Sequence, residues 1–67
     1  MRVQIKLQGR ANAQAVFDVL HGKNVTWREL RGGWHILTVE YADGAELLAV
    51  FLRELFPAIT FHHIVSV

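Results

Sequence analysis

The order of the segments constrains this chain more than any other feature. Within 67 residues it runs through an alternating apolar–polar stretch, a helix-spaced stretch, two β-rich stretches around a glycine pair, a second helix-spaced stretch and a final alternating stretch. This βαββαβ pattern predicts two helices laid on a four-stranded sheet. Many unrelated activities are built on that plan, so the pattern alone names none of them.

The elements are legible residue by residue. Val3, Ile5 and Leu7 alternate with Arg2, Gln4, Lys6 and Gln8, a half-buried strand that Gly9 ends. Asn12 is placed to cap a helix whose Ala13, Val16, Phe17 and Leu20 form one apolar stripe, stopped by Gly22. Stretches 25–31 and 34–41 flank Gly32-Gly33, and two adjacent glycines supply the positive φ angles of a two-residue hairpin turn. That turn sets Arg31 opposite Trp34, Glu29 opposite Ile36 and Trp27 opposite Thr38. One hairpin face then carries Leu30, Leu37, Val39 and Tyr41, and the other Val25, Trp27, Trp34 and Ile36. A loop one residue longer would move one strand's set to the opposite face. Asp43-Gly44-Ala45-Glu46 has capping-box spacing and opens a second helix with the stripe Leu47, Leu48, Phe51, Leu52 and Leu55, ended by Pro57. In the last strand, 58–67, Ile59, Phe61, His63, Val65 and Val67 alternate with Thr60, His62, Ile64 and Ser66.

Right-handed crossovers in both βαβ halves give a four-stranded antiparallel sheet of order 4-1-3-2 with both helices on one face. The expected fold is therefore a ferredoxin-like α+β sandwich, a single domain over residues 1–67. Its core is expected to join the helix stripes to Val3, Ile5, Leu7, Leu37, Val39, Tyr41, Phe61 and Val65.

Composition narrows the functions. Seven basic against six acidic residues give a formal charge of +1, too little to imply a polyanion partner. With no cysteine there is neither a disulfide scaffold nor a thiolate metal site, in keeping with a reducing compartment. The opening residues read as a strand and not as a signal peptide, and no apolar run spans a bilayer. The expectation is a complete, soluble, cytoplasmic protein with no membrane association. The four histidines are the obvious metal candidates, but His62 and His63, adjacent on a strand, should point to opposite faces. No metal and no cofactor is implied, though a site shared across an oligomer axis would use His62 first. Ser66 is the sole serine, the acidic residues are scattered, and no nucleophile–His–acid spacing or phosphate loop occurs, so no catalytic residue is assigned.

Three families offer partial likenesses. The segment order and Gly9 resemble the heavy-metal-associated domains, but Arg10-Ala11-Asn12-Ala13-Gln14-Ala15 follows where their two cysteines would stand, which rules out soft-metal transport by that loop. Gly9-Arg10 resembles the start of the acylphosphatase phosphate loop. That family's chemistry needs an arginine after the helix phenylalanine and an asparagine on the second strand. Here Asp18 follows Phe17, where it would repel phosphate, and Trp27-Arg28-Glu29-Leu30 holds no asparagine. Arg31-Gly32-Gly33-Trp34-His35-Ile36 resembles the basic–glycine–aromatic opening of an RNA-recognition third strand, although Ile36, Gln4 and Lys6 stand where further stacking rings would be needed.

What remains are surfaces. Val25, Trp27, Trp34 and Ile36 on the open sheet face, joined by His62 and Ile64, make an apolar patch of the size that marks interaction sites. The last strand is an edge without Lys, Arg, Asp or Glu to guard it. The sequence thus points to a small non-catalytic protein-interaction module of adaptor, regulator or inhibitor type. It would bind another protein or itself, as a homodimer or higher oligomer, through the open face or the C-terminal edge. The alternative is single-stranded nucleic-acid binding by Arg2, Lys6, Arg28 and Trp34 on the same face.

Overall fold

The computed structural model describes residues 1–67. Its elements are β1 (Arg2–Gln8), α1 (Arg10–Leu20), β2 (Thr26–Glu29), β3 (Trp34–Glu40), α2 (Gly44–Leu55) and β4 (Phe61–Ser66), with a 3-10 turn at Arg31–Gly33. The strands form one antiparallel sheet of order β2-β3-β1-β4, so β1 lies between β3 and β4 while β2 and β4 are the edges. α1 packs on β1 and β3, and α2 on β4 and β1. The result is a compact α+β domain with an open sheet face opposite the helices. No helix is long and apolar enough to cross a membrane.

The core follows from strand alternation. Val3, Ile5 and Leu7 of β1 and Leu37 and Val39 of β3 are buried against Ala13, Val16 and Leu20 of α1 and Leu48 and Leu52 of α2, with Phe61 closing the β4 side. Tyr41, Phe17, Ile59 and Ile64 pack around its margin. A fully buried aliphatic side chain is worth about 1.5–3 kcal/mol, so this one layer carries most of the stability of so short a chain.

Four expectations are corrected. The first is the start of α1, which begins at Arg10 behind Gly9 (φ 95°). Asn12 does not cap it; its Nδ2 donates back to the Gln8 carbonyl at 3.1 Å.

The second is the hairpin. Its loop holds three residues, Arg31, Gly32 and Gly33, and is closed by the Leu30 N–H donating to the Trp34 carbonyl at 2.7 Å. Trp27 therefore pairs with Leu37, not Thr38, and Glu29 with His35. Gly32 and Gly33 take φ values of 74° and 78°, and the end of β1 holds them: the Gly9 N–H donates to the Gly33 carbonyl and Gln8 Nε2 to the Gly32 carbonyl. The shift turns Val25 and Trp27 inward, where both pack against the core, while Leu30 is left outside the core cluster. Inward burial of half a tryptophan is worth about 2–3 kcal/mol, enough to select the longer loop.

The third is β4. A bulge between its pairings with Lys6 and Leu7 leaves His62 without a direct partner on β1. Alternation reverses beyond it, so Ile64 pairs with Ile5 on the core side and Val65 is exposed.

The fourth is α2, where Leu47, Phe51 and Leu55 were expected inside and are exposed. The arc facing the sheet is made instead of Leu48, Ala49 and Leu52, with Ala45 at its margin. Two of these are small, which lets the helix backbone approach the sheet closely.

Candidate functional site

The register separates the six residues expected to make the partner patch. Val25, Trp27 and Ile64 belong to the core side. Trp34, Ile36 and His62 lie on the open side. Trp34 and Ile36 alternate with the buried His35 and Leu37 of β3, and the His62 ring meets the Trp34 ring edge-on at 5.2 Å. Three of the six residues therefore share one face.

All four residues of the nucleic-acid alternative share that open side. Arg2 and Lys6 alternate with the buried Val3, Ile5 and Leu7, Arg28 pairs with Ile36, and Trp34 neighbours Gln8 across β1 and β3. The Lys6 ammonium sits 5.1 Å from the centre of the Trp34 ring, a cation–π contact. Arg2 is partly engaged, since its Nε lies 3.7 Å from Glu40, which also pairs with the N-terminus. The open face is thus a mixed polar and aromatic surface with a basic bias.

The bulge brings His62 and His63 together against the expectation that they diverge. Their ring centres are 5.7 Å apart, and His63 Nε2 lies 3.3 Å from Gln4 Oε1, to which it donates. Burial, then the neighbouring His62 and Lys6, hold the His63 imidazole below its ordinary value of 6.5. No group of three His, Cys, Asp or Glu side chains is placed to hold a metal ion. A shallow cleft of about 300 Å³ runs beside this cluster, lined by Gln8, Asn12, Trp34, Ala58, Thr60 and His62.

A further apolar surface lies on α2, made of Leu47, Phe51 and Leu55, which the sequence places in the core, together with Val50, which it does not assign. Leu47, Val50, Phe51 and Leu55 are 56%, 55%, 39% and 48% exposed, half of the exposed large hydrophobic residues of the chain. Their i, i+3, i+4, i+8 spacing makes one continuous stripe beside the buried arc. Isolated exposed leucines need no explanation, but a contiguous stripe does. The signal was present in the sequence as an apolar arc too wide for a helix that buries only one side.

A scan against protein-family models and searches of curated proteins and of solved structures found no match to this chain.

Proposed function

We propose that this chain is a ferredoxin-like, non-catalytic protein-interaction module that self-associates. The βαββαβ order, the neighbours β4-β1-β3-β2 and the placement of both helices support the fold label. The observation that carries the function is the exposed stripe Leu47, Val50, Phe51 and Leu55 on a helix whose other side is already buried. Water-exposed apolar area of this kind is a standing drive toward a protein surface. The C-terminal edge supports the reading less than its sequence suggested, because the bulge at His62 is itself a device that discourages edge pairing. Sedimentation velocity over a wide concentration range tests the proposal. Phe51→Gln should weaken self-association, while Trp34→Gln on the open face and Val65→Lys near the edge should leave it unchanged. A parent chain that stays monomeric throughout would refute it.

One observation favours a second reading, single-stranded nucleic-acid binding: Arg2, Lys6, Arg28 and Trp34 share one face. A single stacking ring and a net charge of +1 make this the weaker of the two. Fluorescence anisotropy of a labelled oligonucleotide, repeated at rising salt, separates them, because phosphate contacts are lost steeply with salt.

A further inference from the structure

The geometry points to a specific self-complementary seam: α2 pairs antiparallel with α2 of a second copy of this chain, and Glu46 of each copy faces Arg53 of the other. This rests on the self-association reading above and names its surface, orientation and charge code.

Glu46 and Arg53 are both exposed, and neither takes part in an ion pair within the chain, whose three ion pairs are Met1–Glu40, Arg2–Glu40 and Arg10–Glu29. They are seven residues apart, the spacing after which a helix returns to nearly the same side. Both therefore border the stripe on one flank, next to Val50, while Phe51 borders it on the other. When two identical helices pack antiparallel about a two-fold axis, each flank meets its own symmetry copy. When they pack parallel, each flank meets the opposite one. Only the antiparallel arrangement brings this charged flank against itself, and there Glu46 and Arg53 form two equivalent opposite-charge pairs. A parallel arrangement would set both charges against the Phe51 flank, which offers no counter-charge.

The same register fits the apolar residues. With the axis crossing at the height of Ala49 and Val50, midway between Glu46 and Arg53, the two Val50 side chains meet near the axis and Leu47 of one copy faces Phe51 of the other. Glu54 is the one charge within the stripe. It falls at the partner's helix start, where free N–H groups favour a carboxylate and Asp43 opposes it. Sliding the pair by one further repeat would set Arg53 against its own copy and Glu54 in the centre, so charge selects the register. A seam of a few side chains belongs to the weak, transient class of interfaces.

The test uses charge reversal and mixing. Glu46→Arg alone makes a chain with two basic flank residues, and Arg53→Glu alone makes one with two acidic ones. Each should dimerise at least about tenfold more weakly than the parent, since juxtaposed like charges are strongly penalised. An equimolar mixture of the two variants restores both pairs and should recover dimers, now heterodimers, to within about threefold of the parent. Sedimentation equilibrium from about 10 μM to about 1 mM covers the weak range expected for so small an interface. Circular dichroism confirms that each variant is folded, and Glu46→Lys or Arg53→Asp replaces any that is not. A parent that is monomeric at the highest concentration overturns both this pairing and the self-association reading. A parent that dimerises with no response to either reversal, or variants that fail to complement on mixing, overturns the helix seam alone.

Discussion

The indole N–H of Trp27 donates to Nδ1 of the buried His35 at 3.0 Å, linking diagonal neighbours of β2 and β3 on the side that faces the helices. The Phe17 ring of α1 packs on the same indole with centres 5.4 Å apart. Acceptance at Nδ1 fixes the neutral tautomer that carries its proton on Nε2. This contact is incompatible with the two-residue hairpin loop, which would send Trp27 to the opposite face.

Trp27→Phe should keep the aromatic packing but leave His35 Nδ1 without its donor in a buried site, at a cost of about 1–3 kcal/mol. Adding His35→Leu should recover part of that loss, because removing both partners costs less than stranding one. Urea denaturation of the parent, the single and the double variant measures the coupling. Equal stability of parent and single variant would show the hydrogen bond to be unimportant.

Leu37 and Phe51 should respond in opposite ways to truncation. Leu37 is fully buried between sheet and helices, so Leu37→Ala should cost about 2–5 kcal/mol, enough to unfold much of so small a domain. Phe51 is 39% exposed, and Phe51→Ala should cost clearly less while reducing self-association. Thermal melts at low protein concentration separate the stability effect from the association effect.

The hairpin loop should not tolerate side chains at its glycines. A Cβ at Gly32 or Gly33 would approach nothing closer than 3.6 Å, so space is not the obstacle. Their positive φ values are, and Gly32→Ala or Gly33→Ala should each cost about 1–2 kcal/mol. A chemical melt of either variant matching the parent would mean that the loop relaxes to a different turn.

His63 links stability to pH. Its folded-state pKa lies below the ordinary 6.5, so the unfolded chain takes up its proton first as the solution is acidified. The His63 contribution is then fully present above about pH 6.5 and is lost as pH falls through the lowered folded-state value. Because Lys6 contributes to the shift, Lys6→Gln should raise the His63 titration midpoint, read from its ring resonances by NMR. A midpoint that does not move would assign the shift to burial and His62 alone.

The sequence by itself determined the element order, the buried faces of β1 and β3, the α1 stripe and the end of α2 ahead of Pro57. These depend on periodicities of two and 3.6 residues and on residues that forbid a conformation, which are local properties of the chain. It also gathered Arg2, Lys6 and Trp34 on the open face, because the alternation of β1 and β3 does not depend on the hairpin loop; Arg28 joins them only through the three-residue loop, which pairs it with Ile36. Tertiary structure alone decided three things. Whether the loop at Gly32-Gly33 held two residues or three depended on whether Phe17 and His35 could bury Trp27 from across the fold. Whether β4 kept its alternation to the end depended on its bulge against Lys6 and Leu7, which exchanged Val65 for Ile64 in the core and brought His62 beside His63. Which of the many apolar residues of α2 faced inward depended on how near the helix could approach the sheet. Ala45 and Ala49 fit that gap, so Leu47 and Phe51, though larger and more apolar, were left in water, where only a second surface can cover them.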